Sequence, residues 1–247
     1  MSTTKYKVYN CTKLNLRTAP SATAPVGKVV SKGTKLLVVD GGAKKVTENG
    51  TTRTFYQIKD GSNTYYAQKK FLLEWTRAAR TVRAAKSYSE VMLKNNWYYH
   101  NKSHKSANTF AKAKKGGKAS SCGYFASWCA QAGGVIKKGT IISHTSAGTK
   151  PSSIGKVLTG KGNIKHGKII FPVNKKISSY KSKLKPGDII LHDSSIEIYI
   201  GLVNGKPTVI SGRNGSTLDS KGRYKKMKLT SGYEFTHNIL AIIRPLG

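Results

Sequence analysis

The chain has 247 residues, enough for one large or two small domains, each able to bury a core without disulfides or metals. Its 44 Lys and Arg against 10 Asp and Glu give a formal net charge of +34, which excludes a neutral metabolic enzyme. A hydrophobic fraction of 38% with 13 Tyr, 6 Phe and 3 Trp excludes a disordered basic tail. Because acids are so few, we expect a polyanionic partner: a nucleic acid, a teichoic-acid-like wall polymer or an anionic membrane face.

The cysteines and the apolar segments exclude further classes. Cys11, Cys122 and Cys129 make an odd count without a CxxC pair, so the sequence predicts neither a disulfide framework nor a metal site. No cofactor is expected either. The first ten residues contain no apolar run typical of a signal peptide, and no stretch approaches the roughly 18 apolar residues of a membrane span. If the protein acts outside a cell, we expect another route to deliver it.

The first seventy residues predict short strands separated by turns. The strands are YKVYN, Val26 to Val30, LLVVD at 36–40, TFYQIK at 54–59 and TYYAQ at 64–68, with turns at Gly33, Gly41-Gly42, Asn49-Gly50 and Asp60-Gly61. Strands of this number and length are typical of a small barrel. From Trp75 to about Leu93 the apolar residues recur every three or four positions, which predicts a helix. We therefore expect a domain at 1–74, a helical segment at 75–90 and a second domain at 91–247.

The second domain has an uneven charge and a change of pattern. Between Val91 and Gly187 there are 19 Lys and Arg and no Asp or Glu. A helix begins after Ser120 and Ser121, because apolar residues recur from Cys122 at helical spacing until Gly133-Gly134. Strands follow at DIIL 188–191, IEIYIG 196–201, PTVIS 207–211 and 239–244. Helices followed by strands predict an α+β domain with helices packed on an antiparallel sheet.

Cys122 is the first candidate for chemistry. A thiol at the first turn of a helix feels the unpaired backbone N–H groups and the positive end of the helix dipole, which favour the thiolate, and nearby lysines act in the same direction. The alternative is a small core residue on the buried stripe of the helix. For Cys129, seven residues later and in the middle of the helix, the core interpretation is favoured.

Two stretches resemble known families. LNLRTAPSATAPVGKVVSKGTKLLVVD at 14–40, with the later FYQIKDGSNTYYAQKKFL, resembles the bacterial SH3-like (SH3b) domains of cell-wall hydrolases. SCGYFASWCAQAGG at 121–134 and LKPGDIILHDSSIEIYIG at 184–201 resemble the nucleophile helix and base-bearing hairpin of NlpC-type papain-like peptidases, close to the CHAP amidases. The second resemblance implies a papain-like α+β fold, with Cys122 as nucleophile and a His as general base.

The position of that histidine is occupied by Ser195, because the family's H-x-x-IYIG pattern is here SIEIYIG. A serine hydroxyl has no basic site near neutral pH and cannot act as the general base. If Asp193-Ser194 forms a two-residue turn, His192 lies opposite Ser195 on the same face and could supply the base. The alternative is that His192 is a strand-end residue and that the domain binds wall without cutting it.

Several aromatic and basic residues are candidate ligand contacts. Trp97, Tyr98 and Tyr99 could line a groove, and the alternative is that this run is partly core. Tyr65 and Tyr66 are adjacent in a strand, so one should be buried by alternation and the other could contact ligand. Arg213 with Asn214 could hold an anionic group, and the alternative is a solvated loop arginine. The sequence and its resemblances together predict a cell-wall hydrolase, a cysteine endopeptidase or amidase acting on an anionic peptidoglycan-type polymer outside the membrane, as a phage lysin or virion-associated protein. The alternative is a degenerate peptidase serving as wall-binding module or virion component. Nucleic-acid binding is disfavoured, since no motif supports it.

Overall fold

The computed structural model describes residues 2–99, 107–116, 119–142, 164–171, 180–192, 195–212 and 239–247. The chain forms two compact units, 1–76 and 77–247. The described part of the first unit contains strands and one short 3₁₀ turn, and that of the second combines helices with an antiparallel sheet. The predicted α+β class is therefore confirmed. No helix among the described residues is both long and apolar enough to cross a membrane.

Residues 2–76 form one antiparallel sheet of seven strands in the order β3-β2-β6-β5-β4-β1-β7. The strands are Thr3–Val8 (β1), Lys13–Arg17 (β2), Val26–Ser31 (β3), Lys35–Glu48 (β4), Thr51–Asp60 (β5), Asn63–Gln68 (β6) and Leu72–Glu74 (β7). Their inward side chains form one apolar core: Val8, Leu14, Leu16, Val30, Leu36, Val38, Ile58 and Ala67. The alternation of buried and exposed residues in β2 and β4 reflects the period of two of a strand with one buried face.

One predicted turn of the first unit was wrong. Gly41-Gly42 does not separate two strands, because β4 runs through both residues to Glu48. The register of β4 against β5 shifts between Val38 and Ala43, and Gly41 has a positive φ of 74°. The glycines therefore form a β-bulge, which bends a strand without ending it. By contrast, Asn49 and Gly50, both at positive φ, form the turn that joins β4 to β5.

The second unit places its helices beside a five-stranded antiparallel sheet. The described elements are Arg77–Lys94 (α1), Tyr98–Tyr99 (β8), Phe110–Lys115 (α2), Ala119–Ser120 (β9), Cys122–Gly133 (α3), Gly167–Ile170 (β10), Ile189–His192 (β11), Ile196–Val203 (β12), Lys206–Ile210 (β13) and Ile239–Pro245 (β14). The sheet order is β10-β14-β11-β12-β13, and β8 pairs with β9 in a separate two-stranded parallel sheet. The helices predicted near 75–93 and 122–132 correspond to α1 and α3.

The two faces of this sheet carry different clusters. Side chains that share a core with α1 and α3 include Ile189, Leu191, Ile196 and Ile198. The alternate residues of the same strands, among them Ile190 and Tyr199, belong to a second apolar cluster. Because strand side chains point alternately to opposite faces, each residue of the hairpin β11–β12 can be assigned to one face. This assignment decides which hairpin residues lie together.

Candidate active site

The start of α3 holds the cysteine that the sequence singled out. Ser121 is the N-cap, and its Oγ accepts a hydrogen bond of 3.4 Å from the Tyr124 amide. The Phe125 amide donates to the Ser121 carbonyl at 2.9 Å, which begins the regular helical pattern. Cys122 is therefore the first residue of α3, where backbone N–H groups have no partner within the helix. A negative charge that forms beside Cys122 would be stabilised there.

Tyr99 contacts the sulfur of Cys122. The Tyr99 hydroxyl donates to Cys122 Sγ at 3.8 Å, and both side chains are buried, at 9% and 7% exposure. Tyr99 reaches this position because β8 pairs with β9, so that Tyr99 lies beside Ser120, two residues before the cysteine. The sequence suggested that Tyr99 lines a ligand groove and gave no indication of this contact, which depends on a parallel pairing between distant residues.

The residue after Cys122 must be small. A Cβ atom on Gly123 would lie 2.8 Å from the carbonyl oxygen of Ile142, closer than real Cβ contacts. The Ser127 hydroxyl holds the two segments together: it donates to the Gly123 carbonyl at 2.5 Å and accepts from the Ile142 amide at 2.7 Å. The backbone of Ile142 therefore forms one wall of the site beside the first turn of α3.

The hairpin β11–β12 pairs His192 with Ser195. Leu191 pairs with Ile196 and Ile190 with Glu197, and the His192 amide donates to the Ser195 carbonyl at 3.1 Å. This is the register that the predicted hairpin requires, although the turn residues Asp193 and Ser194 lie outside the described part of the chain. His192 and Ser195 consequently face the same side of the sheet.

His192 has an acidic partner that the sequence analysis missed. Its Nε2 lies 3.4 Å from Oε2 of Glu197, and the two residues are 2% and 0% exposed. Glu197 follows Ser195 by two positions, so it points to the same face and is the diagonal neighbour of His192 across the ladder. The predicted two-residue turn already implied this pairing, and combining it with strand alternation would have found the carboxylate.

Ser195 forms a hydroxyl pair with Ser211, which directly follows β13. The two Oγ atoms are 3.1 Å apart, and the Ser211 hydroxyl also donates to the Ile196 carbonyl at 3.2 Å. Because each hydroxyl has one proton, the consistent arrangement has Ser195 donating to Ser211. Both residues are buried, at 7% and 0% exposure. This pair binds protons too weakly to serve as a general base at neutral pH.

The cysteine and the histidine belong to two neighbouring groups. Cys122 lies with Tyr99, whereas His192 lies with Glu197 and Ser195 on the sheet face opposite to Leu191 and Ile196. Ile196 links the groups, since its Cδ1 lies 3.9 Å from the position of a Cβ on Gly123. Within the described residues no hydrogen bond joins Cys122 to His192.

The remaining sequence candidates occupy different environments. Trp97 is a core residue at 1% exposure, with its ring stacked 5.5 Å from Phe110, which agrees with the core alternative for this aromatic run. Tyr98 is partly exposed.

Tyr65, in the first unit, packs against the apolar core, and a Cβ on Gly27 would lie 2.6 Å from its ring. Tyr66 is partly exposed and pairs with Arg17, while Arg213 and Asn214 lie outside the described residues.

The other cysteines differ from Cys122. Cys129 is fully buried in the core of the second unit, as predicted, and burial raises the pKa of its thiol well above the ordinary value. Cys11, in the first unit, is partly exposed, and burial also raises its pKa. All three cysteines are unbridged. Across the described residues, no group of three or more His, Cys, Asp or Glu side chains is arranged to hold a metal ion.

The comparisons with known proteins found similar chains among solved structures. No protein-family profile matches the chain, and no curated protein matches its sequence. Among solved structures, the chain is similar to NlpC1 from Trichomonas vaginalis, with 15% identity and a TM-score of 0.36 over 99% of this chain and 69% of that one. It is also similar to NlpC2 from Trichomonas vaginalis, with 16% identity and a TM-score of 0.36 over 100% of this chain and 74% of that one.

Proposed function

We propose that the protein is a cell-wall hydrolase in which Cys122 attacks a peptide or amide carbonyl of a peptidoglycan-type polymer. The observation that carries this proposal is the position of Cys122 at the capped start of α3, with the Tyr99 hydroxyl 3.8 Å from its sulfur. Support also comes from the resemblance of residues 121–134 and 184–201 to the nucleophile helix and hairpin of NlpC-type peptidases. The formal charge of +34 suits an anionic wall polymer.

The reaction has two stages. The thiolate of Cys122 adds to the carbonyl carbon, and the oxygen takes the negative charge, which the backbone N–H groups at the start of α3 stabilise. The carbon–nitrogen bond then breaks, the amine leaves with a proton from the general acid, and a thioester joins the acyl group to Cys122. Water attacks the thioester, gives up a proton to the same group and releases the carboxylic acid. This cycle needs one residue that accepts and returns a proton.

His192 is the proposed proton acceptor, with Glu197 as its positioning residue. A carboxylate oxygen of Glu197 3.4 Å from Nε2 restricts the orientation of the imidazole ring. The fully buried Glu197 occupies the role that a polar residue on the neighbouring strand has in the resembling family. Because His192 lies on the sheet face opposite to Ile196 and forms no hydrogen bond with Cys122, catalysis by this pair requires the hairpin end to rearrange so that the imidazole reaches the start of α3.

The first test is Cys122→Ala in an assay that measures peptides and amino groups released from purified bacterial walls. We expect release to fall to background, because the variant lacks the nucleophile. Cys11→Ser is the matched control, since it removes a partly exposed thiol from the first unit and leaves α3 intact. Hydrolysis that persists in Cys122→Ala would refute the cysteine mechanism.

The second test concerns the base. We expect His192→Gln to lower kcat by at least about 100-fold, because general acid–base catalysis contributes factors of this size. Glu197→Gln should lower kcat less, because the amide keeps the size of the side chain beside the ring and removes only its charge. An unchanged rate in His192→Gln, with wild-type circular dichroism, would exclude His192 as base.

A second candidate is a non-catalytic wall-binding protein or virion component with a degenerate peptidase domain. The hydroxyl pair Ser195–Ser211 favours it, since Ser195 stands where the resembling family has its histidine. On this proposal the wild type binds walls and releases nothing, while Ser195→His gains activity that depends on Cys122. Under either candidate the protein acts at a bacterial cell wall, and a phage lysin or virion-associated protein is the proposed setting.

A further inference from the structure

The first unit contains a cavity of about 840 Å³ that the proposed chemistry does not use. It lies where β5 and the 3₁₀ turn Lys69–Phe71 meet β1 and β7. Its lining combines polar and apolar side chains and includes three threonines of β5: Thr51, Thr52 and Thr54. Cavities of this volume are of the size that binds small molecules or one repeat of a polymer.

The charges around the cavity favour an anion. Arg53, Lys69 and Lys70 line it, against one carboxylate, Glu74. Glu74 already accepts a hydrogen bond of 2.8 Å from the Thr76 hydroxyl. Outside the cavity, Nη1 of Arg53 lies 3.7 Å from Oε2 of Glu48. Both side chains are partly exposed, and an ion pair of this kind contributes little to stability. The lining therefore carries an excess of positive charge together with three hydroxyl groups.

Two tyrosines supply an uncharged surface. The rings of Tyr6 and Tyr56 have centroids 5.3 Å apart and are tilted by 60°. Burial and the hydrogen bond to Tyr56 raise the pKa of Tyr6, so its hydroxyl keeps its proton at physiological pH. The Lys69 ammonium lies 6.0 Å from the Tyr56 ring centroid, at the outer limit of a cation–π contact. Aromatic carbon thus lies beside cationic and hydroxyl donors.

We propose that this cavity binds a phosphodiester-linked polyol chain, the chemistry of an anionic wall polymer. Phosphate oxygens would accept hydrogen bonds from Arg53, Lys69 and Lys70, and the carbon backbone of the polyol would pack on Tyr6 and Tyr56. A neutral glycan would not compensate the excess positive charge of the lining. This assignment rests on the proposed function for the identity of the polymer, and it requires no catalytic activity.

The test is a calorimetric titration of the full chain with a short poly(glycerol phosphate). We expect Lys69→Gln/Lys70→Gln to raise Kd about tenfold, which is about 1.4 kcal/mol. Both lysines are exposed, so the fold should persist. The matched control is Lys44→Gln/Lys45→Gln, which removes the same charge from exposed positions of β4 outside the cavity lining. We expect the control to change Kd by less than about twofold, as is typical of surface charges.

Three outcomes would overturn the proposal. They are an equal loss of affinity in both double variants, equal affinity for neutral N-acetylglucosamine oligomers, and equal affinity for a single-stranded oligonucleotide of the same charge. Cys122→Ala separates this proposal from the proposed function. If that variant binds the polymer normally and the wild type hydrolyses no wall, only the enzymatic proposal fails. If hydrolysis depends on Cys122 but no variant alters polymer binding, only the cavity proposal fails.

Discussion

At the residue scale, an ion pair in the second unit joins a buried carboxylate, Asp188, to a partly exposed guanidinium, Arg244. Asp188 is fully buried and accepts two hydrogen bonds from the Arg244 guanidinium, from Nε at 2.9 Å and from Nη2 at 2.7 Å. The Lys185 amide donates to the same carboxylate at 2.8 Å. The hydrogen bonds with Asp188 raise the pKa of Arg244. This pair ties β14 to the start of the hairpin that carries His192.

We predict that Arg244→Met lowers the free energy of unfolding of the second unit by about 3 to 5 kcal/mol, because it leaves the Asp188 carboxylate buried without a counterion. Urea dependence of amide hydrogen exchange at Ile189 and Ile190 measures the loss within this unit. Lys168→Met is the matched control, since Lys168 is exposed and lies on strand β10, directly opposite Arg244 of β14 in the strand register. Equal effects of the two substitutions would contradict a special role for the pair.

Single residues also show what could be predicted from sequence. Cys122 and Cys129 were assigned to the start and the core of α3 because helical spacing depends only on local order. Tyr99 and Glu197 were missed as partners, since their contacts arise from strand pairing. For Glu197 the pairing was short-range and could have been derived. For Tyr99 it was a parallel bridge across more than twenty residues, which no local pattern indicates.

At the element scale, the hairpin β11–β12 is set closely against α1. Gly187 precedes the hairpin with a φ of 95°, and a Cβ there would lie 2.7 Å from the Cα atom of Ala78 in α1. The Gly187 amide also donates to the Tyr199 carbonyl at 2.7 Å. The residue must therefore be glycine for two reasons: its backbone conformation and the approach of the helix.

We predict that Gly187→Ala destabilises the second unit by more than about 1 kcal/mol. Gly205→Ala is the control, because Gly205 also has a positive φ, of 74°, but has no atom within 4 Å of its Cβ position. Chemical denaturation of both variants would separate backbone strain, common to the two, from the clash with α1. A Gly187→Ala variant no less stable than Gly205→Ala would show that α1 moves away without cost.

The sequence predicts a strand well when its turn residues and its alternating apolar pattern lie within the same short stretch of chain. The strands near 26–30, 54–59, 64–68, 188–191 and 196–201 were found, with ends shifted by a few residues. The three-residue β7 and the four-residue β10 were not, because so few residues cannot show alternation. Their existence follows from pairing with β1 and β14. Two adjacent glycines suit both a turn and a β-bulge, so the sequence of β4 does not distinguish the two.

At the scale of the whole molecule, several acids among the described residues have partners within the protein. Asp40 accepts from Thr4, Asp60 pairs with Lys28, Asp188 with Arg244 and Glu197 with His192. Glu48 accepts from Ser21 and from the Ala22 amide, which lower its pKa. These acids compensate only a few of the 44 Lys and Arg, so most of the positive charge is available to an external polyanion.

We predict that binding to isolated walls weakens steeply as salt rises from about 0.05 to 0.5 M, because screening shortens the range of the attraction between charges. Sedimentation of the protein with walls at each salt concentration measures this. The Cys122→Ala variant should behave identically, since binding does not depend on the nucleophile. Binding that is unaffected by salt would show that charge does not hold the protein on the wall.

The sequence alone determined the α+β class, the helix that begins at Cys122 and the excess of positive charge, because composition and short-range periodicity carry this information. The resemblance of residues 184–201 to the hairpin of NlpC-type peptidases adds the prediction that Ser195 stands at the histidine position. Only the tertiary structure decided that His192 lies against Glu197, that Ser195 bonds Ser211, that Tyr99 contacts Cys122, and that cations and tyrosines share a cavity in the first unit. The physical reason is that strand register and packing join residues distant in sequence, and these contacts determine how each side chain can react.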